Sequence, residues 1–387
     1  MTATTVVVEA GFHRRHNCPV VATLPAAVAE GAVALRDESG RLTRCQVEPA
    51  AEPGQVQLAW LLDDLPAGET RRYTVVTAGT APAGAGGVTL TDRTGTHLDI
   101  AVGGDRFTSY HYAEVPARPY FHPVVGPGGA LVTRGFPMEP DVPGETHDHP
   151  HHRGLYFAHG EVNETNNWSE VPGHATMQHR GFAWLTSGPV QGSFTHSLDW
   201  LDTAGAVVLT EQRTVTVYHT SDDERLLDAA LAFRASAGAV LFGDTKEGGL
   251  ISVRVATSMD AKEAGRIENA AGGIQEAETW GKRAQWCDYS GPVAGQTLGI
   301  CLMDHPDNPR HPTHWHVRNY GLMTANPFGR RDYTRDPAQR GDLLLQDGAR
   351  LTFRYRVLIH RGNAQDADLH GRYQDLAHPP AVTVETG

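Results

Sequence analysis

The sequence has little of what marks secreted, membrane or nucleic-acid-binding proteins. Its four cysteines, Cys18, Cys45, Cys287 and Cys301, are widely spaced and form no CxxC motif. This spacing predicts reduced thiols, since disulfide frameworks and structural zinc sites use closer, repeated pairs. No run of 18 apolar residues suggests a transmembrane helix. The first residues lack the basic region and cleavage site of a signal peptide, so we expect a cytoplasmic protein.

Positive charge is also scarce. The chain has 33 Lys and Arg against 45 Asp and Glu, a net charge of −12. Without a basic stripe, a nucleic-acid partner is not expected, and neither is a membrane partner. No Rossmann fingerprint, phosphate-binding loop or Gly-x-Ser-x-Gly nucleophile motif is present, which argues against nicotinamide dehydrogenases, nucleotide hydrolases and serine hydrolases.

Helical periodicity is rare, and residues 366–377 are its best candidate. Short alternating or β-branched runs dominate instead, separated by Gly, Pro, Asn and Asp. Strands at this spacing predict an all-β sandwich or barrel. The clearest runs are residues 5–10, 20–24, 33–36, 44–48, 56–62, 72–77, 206–218, 250–257, 298–304 and 350–359.

A run of small residues, 77–87, predicts a domain boundary because it has almost nothing to bury. On this interpretation residues 1–80 form a small β module. Residues 88–387 form a large β domain that carries the histidine-rich chemistry. The alternative is that 77–87 is a hairpin tip within one domain.

The densest chemistry lies in residues 144–154, GETHDHPHHRG. Four imidazoles, a carboxylate and a guanidinium occur within seven residues of this loop. In an extended conformation His147, His149 and His151 would point to one face. Because histidine ligates metals and exchanges protons near neutral pH, this loop is the first candidate for a functional site.

Two further segments combine aromatic and charged side chains. Residues 280–291 hold two Trp, two cations, an acid and a Tyr, and residues 304–321 are rich in His and Arg. A shorter patch, residues 243–249, contains Glu247. Aromatic rings beside charged groups are typical of sugar sites, where the ring stacks and the charges bind hydroxyls. The same aromatics can equally pack over the core, and the sequence leaves both readings open.

Several motifs occur in the order found in one bacterial family. They are residues 149–160 (HPHHRGLYFAHG), 243–248 (GDTKEG), 280–291 (WGKRAQWCDYSG), 316–322 (HVRNYGL) and 325–329 (ANPFG). Across them the chain resembles the family labelled methane oxygenase PmoA.

The resemblance runs from about residue 118 to residue 362. It implies a large antiparallel β-supersandwich similar to galactose mutarotase, preceded here by the small β-sandwich module. It also implies a place in bacterial carbohydrate metabolism. It does not imply mutarotase activity itself, because the motifs of that enzyme are not evident.

Three hypotheses compete for the histidines. In the first, they supply acid–base groups in a sugar-binding cleft and need no cofactor. In the second, His149, His151 and His316 bind a divalent metal such as Zn or Fe, since His-x-His spacing on a strand is common in such sites. In the third, they satisfy buried backbone groups. The candidate catalytic residues are Glu247, His151, His316, His149, His152 and His305.

Roles follow from the first hypothesis. Glu247, in a Lys-Glu-Gly-Gly turn, is the predicted general base, and His151 and His316 are the candidate acids. The expected substrate is a small sugar, glycoside or oxidised sugar derivative, and the rival reading is a carbohydrate-binding protein without turnover. A homo-oligomer is compatible with either. All these segments should line one cleft, in which the predicted substrate-binding residues are Arg153, Lys246, Trp286, Asp288, Tyr289, Arg318 and Tyr320.

Overall fold

The computed structural model describes residues 4–29, 33–77 and 86–386. Strands dominate these ranges, so the predicted all-β class is confirmed. The α-helices are short: α1 (Gln275–Thr279), α2 (Arg330–Thr334) and α3 (Leu369–Ala377). No helix in the described ranges is long and apolar enough to cross a membrane.

The strands, in chain order, are β1 (Thr4–Glu9), β2 (Arg15–Pro25), β3 (Val33–Asp37), β4 (Leu42–Pro49), β5 (Gln55–Leu65), β6 (Thr70–Thr77), β7 (Val88–Asp92), β8 (His97–Val102), β9 (Asp105–His111), β10 (Tyr120–Val124), β11 (Leu155–His159), β12 (Thr176–Thr186), β13 (Gln191–Leu201), β14 (Val207–Tyr218), β15 (Glu224–Arg234), β16 (Val240–Phe242), β17 (Gly248–Arg254), β18 (Arg266–Asn269), β19 (Trp286–Val293), β20 (Gln296–Asp304), β21 (His314–Arg318), β22 (Leu322–Asn326), β23 (Leu343–Leu345), β24 (Arg350–Arg361) and β25 (Ala381–Thr386). The predicted helix at 366–377 is confirmed by α3. Its Leu369 and Tyr373 are buried, and the Asp368 side chain accepts from the Gly371 N–H at its start.

Two eight-stranded antiparallel sheets form the large sandwich. The site sheet has the order β21-β22-β17-β11-β10-β9-β8-β7, and the back sheet has the order β12-β13-β14-β15-β24-β20-β19-β18. Their facing sides share one apolar core, which includes Phe157 and Trp315 from the site sheet and Leu231 and Val357 from the back sheet. Burial of this surface is the main stabilising term for the sandwich.

Residues 4–77 build most of a third sheet, with the order β2-β5-β4-β3-β6-β1-β25. It has its own core around Trp60 and Tyr73. The last strand, β25, pairs antiparallel with β1, so the end of the predicted large domain belongs to this sheet. Most of the predicted linker at 77–87 lies outside the described residues. The division into domains 1–80 and 88–387 stays a prediction.

Strand alternation sets which side chains leave the core on the site sheet. On β21, Trp315 and Val317 enter the core, so His314, His316 and Arg318 emerge on the outer face. Neighbouring strands behave in the same way. A polar outer surface results on a sheet whose other face is mostly apolar.

Candidate functional site

The histidine-rich loop lies over the outer face of the site sheet. The His149 ring stacks on Tyr320 with 4.9 Å between ring centroids, and on His152 with 4.8 Å. Tyr320 belongs to the turn between β21 and β22. His147 remains exposed, stacked on Phe136. The loop is thus fixed on the sheet by ring stacking.

A first buried ion cluster holds this loop in place. Asp148 accepts from Arg134 at 2.8 Å and from Arg254, a β17 residue that is 1% exposed, at 3.1 Å. Partial burial raises the pKa of Asp148, but Arg254 and Arg134 outweigh it and hold that pKa well below its usual range. Arg254 also donates to His152 Nδ1 at 3.1 Å. His152 is therefore neutral and structural, and burial lowers its pKa well below 6.5.

A second cluster fixes the end of the loop. Arg153 makes a bidentate pair with Glu170, at 2.9 Å from Nε and 2.7 Å from Nη2. Arg118, which is 1% exposed, reaches the same carboxylate at 3.4 Å. Arg153 was predicted to hold substrate oxygens. Its Nε and Nη2 donors are engaged by Glu170, so the contacts observed for it are structural.

A pocket of about 470 Å³ opens beside this loop. It brings His149 and His151 of the loop together with Glu247, which is distant in the sequence and was predicted to share their site. The full lining consists of His149, His151, Gly160, Glu161, Glu164, Thr165, Asn166, Trp168, Ser169, Thr245 and Glu247.

Close backbone packing delivers Glu247 to this pocket. The β11 strand ends beside the turn that carries Glu247, and a Cβ atom on Gly160 would lie 1.9 Å from the Glu247 carbonyl oxygen. Glycine at 160 is the residue that permits this approach. The preceding carbonyl, that of Lys246, accepts from His316 Nδ1 at 2.5 Å and Asn326 Nδ2 at 3.3 Å. The turn is thereby tied to the outer face of the sheet.

The ionisation states of the pocket differ from one residue to the next. Burial, aided by Arg118 and His149, lowers the pKa of His151 to about 4, so this imidazole is neutral at pH 7. Partial burial raises the pKa of Glu247, but the ion pair with the Lys246 ammonium at 2.7 Å outweighs it. The Glu247 pKa therefore lies below its usual value, and the carboxylate is ionised.

His316 is 2% exposed and lies near Glu247, close enough for the charge state of one group to affect the pKa of the other. Because its Nδ1 donates to the Lys246 carbonyl, its Nε2 carries the lone pair. That Nε2 has no hydrogen-bond partner among the described residues. Burial lowers the His316 pKa, so a neutral imidazole with a free acceptor lies behind Glu247.

Three predicted site residues lie elsewhere, on β19 of the back sheet. Trp286 packs against Leu369 and Tyr373 of α3. Asp288 is fully buried and accepts from His360 Nε2 at 3.0 Å. Tyr289 is part of the central core. Their placement in one cleft with the histidine loop is wrong, because β19 pairs with β18 and β20 and so belongs to the opposite sheet.

His305 is also outside the pocket. It follows β20, and its Nδ1 accepts from the Asp307 N–H at 3.1 Å. Arg318 does lie on the site-sheet face, where it pairs with Glu276 at 3.0 Å and lies over the Tyr320 ring. Lys246 contacts the pocket only through its pair with Glu247.

Comparisons with known proteins place the chain in a family. The model of a family of unknown function, DUF6807, matches residues 97–374. The chain belongs to DUF6807. No curated protein matches it.

One similar solved structure is an alpha-mannosidase from Enterococcus faecalis V583, with a TM-score of 0.44 and 8% identity. The similarity covers 100% of this chain and 46% of that enzyme, so the chain spans less than half the length of its structural neighbour. The DUF6807 match includes the site sheet from β8 onward and every residue of the pocket. Most of the N-terminal sheet lies outside it.

Within this DUF6807 chain, the described ranges contain no group of three His, Cys, Asp or Glu side chains arranged to hold a metal ion. His149, His151 and His316 therefore do not form the three-ligand site of the metal hypothesis. The His149 ring is instead stacked between those of Tyr320 and His152.

Sequence reasoning missed one wall of the pocket, residues 160–169. Trp168 is 2% exposed and contacts the His151 ring at 5.9 Å and the Tyr156 ring at 5.6 Å. Its Nε1 has no partner in the part of the chain that the structure describes. A usable signal was present, since a polar stretch with a single Trp directly follows the apolar strand β11.

Proposed function

We propose that this protein is a sugar-active enzyme that performs proton-transfer chemistry without a metal ligand set. The observation that carries the proposal is the shared pocket of Glu247 and His151. It pairs an ionised carboxylate with a neutral imidazole, beside the buried Trp168. Groups whose environments separate their protonation states are typical of acid–base sites.

In the proposed mechanism Glu247 removes a proton from the sugar and can return it to another atom. This is the step that epimerisation, mutarotation and elimination have in common. The neutral His151 accepts a hydrogen bond from a substrate hydroxyl. His316 fixes the Glu247 turn through the Lys246 carbonyl, and its Nε2 is a second proton acceptor.

This assignment differs from the sequence-based one in two respects. His151 and His316 were the candidate acids, but burial lowers the pKa of both, and as neutral imidazoles they are assigned accepting roles in this proposal. Trp168 replaces Trp286 as the aromatic wall for the sugar ring. The cytoplasmic location and the tie to the PmoA-labelled family remain predictions.

The test begins with a calorimetric and thermal-shift screen of mono- and disaccharides with their 3-keto and uronic forms. With a ligand in hand, turnover is followed by NMR for the wild type, Glu247→Gln and His151→Gln. Loss of a general base typically lowers the rate by about 10²–10⁴. The matched control is Glu263→Gln, an exposed glutamate that is not part of the pocket lining.

For an enzyme, Glu247→Gln loses rate while ligand affinity changes little, and the control retains both. Near-full turnover in Glu247→Gln would remove this residue from the mechanism. If the wild type binds sugar and shows no turnover on any bound ligand, the protein is a carbohydrate-binding module and the proposal is wrong.

A further inference from the structure

The pocket wall carries an unusual charge for a site with so many arginines nearby. Glu161, Glu164 and Glu247 line it, and no Lys or Arg does. Glu247 is balanced by Lys246. Across residues 4–29, 33–77 and 86–386, neither Glu161 nor Glu164 has a side-chain hydrogen bond or ion pair. Two glutamates of the pocket lining therefore have no counter-charge.

The surrounding arginines are not available to bind an anionic ligand. Arg118 and Arg153 share Glu170, and their guanidinium groups are almost fully buried. Arg134 and Arg254 share Asp148 in the same way. None of the four is part of the pocket wall. An anionic group entering the pocket would thus approach carboxylates and meet no free cation.

The hydrogen-bond acceptors of the pocket wall also favour a neutral ligand over an anionic one. Carboxylates accept hydrogen bonds only, and the neutral His151 offers an accepting nitrogen. The nine-tenths buried Trp168, which forms part of the wall, has an indole N–H without an acceptor. The wall therefore suits a ligand with many hydroxyl donors and an oxygen for this one indole donor.

Glu164 is held in the pocket wall by a tight turn. Val162 and Thr165 exchange both backbone hydrogen bonds at 3.0 Å, and the two residues between them have positive φ, 48° at Asn163 and 63° at Glu164. This is the pattern of a two-residue hairpin in which the second position favours glycine. The left-handed backbone at Glu164 is therefore less favourable than it would be for glycine, and it holds this residue in the pocket lining.

We infer that the pocket selects a neutral sugar and rejects the corresponding uronate, with Glu161 and Glu164 as the specificity-determining residues. The inference rests on the proposed function only in taking a sugar as the ligand. Charge repulsion from unpaired carboxylates at the wall disfavours a substrate carboxylate, whereas hydroxyls bind to those same oxygens.

The experiment compares matched pairs by calorimetry: glucose with glucuronate, galactose with galacturonate and mannose with mannuronate. In any pair that binds, the neutral member should bind at least about tenfold more tightly at low salt, the size expected for one unpaired like-charge contact near a protein surface. The Glu161→Gln/Glu164→Gln double variant should narrow this ratio. Glu263→Gln, the matched control, should leave it unchanged. Higher ionic strength should also narrow the wild-type ratio.

Uronates that bind as tightly as their neutral partners would overturn the inference, and so would the absence of binding by every sugar of both series. An unchanged ratio in the double variant would remove these two glutamates as its cause. The proposed function is tested independently, by the turnover rate of Glu247→Gln. If neutral sugars bind selectively while Glu247→Gln turns over at the wild-type rate, the selectivity stands and the catalytic proposal fails.

Discussion

His159 should make the protein sensitive to mild acid. This last residue of β11 is 0% exposed, and its Nε2–H donates to the Gly243 carbonyl at 3.0 Å. Its Nδ1 has no partner among the described residues. Burial, partly offset by the Gly243 hydrogen bond, lowers the His159 pKa to about 4. A second ring proton would have no acceptor.

The sign and size of the effect follow from linkage. Between the unfolded pKa of about 6.5 and the folded value, the unfolded chain binds more protons, so stability falls as the pH falls through this window. A shift from about 6.5 to about 4 corresponds to about 3 kcal/mol in full, and about 2 kcal/mol of it is lost between pH 7 and pH 5. The stability that depends on a neutral His159 is therefore present above pH 6.5.

The assay is urea unfolding of the wild type and His159→Gln at pH 7, 6 and 5, followed by tryptophan fluorescence. Glutamine keeps a donor for the Gly243 carbonyl but does not titrate. The other buried histidines are present in both proteins, so their contributions cancel in the difference. We expect the wild type to lose about 2 kcal/mol relative to the variant between pH 7 and pH 5. If the free energy of unfolding fell equally in the wild type and in His159→Gln between pH 7 and pH 5, the reasoning would be refuted.

Three further results are expected. Glu170→Gln leaves two buried arginines without a carboxylate and should cost about 3–5 kcal/mol in urea unfolding; a loss below about 1 kcal/mol would show that the pair is well solvated. Gly160→Ala should cost about 1–3 kcal/mol and lower turnover, since its Cβ would displace the Glu247 turn; full activity would contradict the close packing. The pH profile of kcat/KM should stay flat from pH 8 to about 6 and fall below about 5, because His151 and Glu247 both have lowered pKa values and gain protons only in acid. A decline that begins near pH 6.5 would indicate an unshifted histidine instead.

The fold class was accessible from the sequence because strand alternation is a local signal. In β14, the buried residues Leu209, Val215 and Val217 alternate with partly exposed ones, and the same period recurs along the chain. The importance of the histidine loop could also be predicted from the sequence. A cluster of histidine, aspartate and arginine side chains is unfavourable to bury unless these groups have hydrogen-bond partners or a chemical role. Both inferences needed no knowledge of which strands pair.

Local sequence patterns could not predict which motifs come together in one site. The stretch 280–291 divides in space, because Trp280 contacts His316 while Trp286 lies on the back sheet. Pairing of β19 with β20, rather than any local pattern, decides this. Trp168 was overlooked for the opposite reason. It stands alone among polar residues, and only the fold brings it to His151.

The pairing of β25 with β1 has a consequence for how the protein is made. During synthesis β1 and β6 leave the ribosome early, but the strand that covers the free edge of β1 appears only after both eight-stranded sheets. Until then β1 presents unpaired backbone groups of the sequence Thr-Thr-Val-Val-Val-Glu, a β-prone edge open to pairing with another chain. Until β25 is made, this edge can pair with another chain, and the native contact with β25 then covers it.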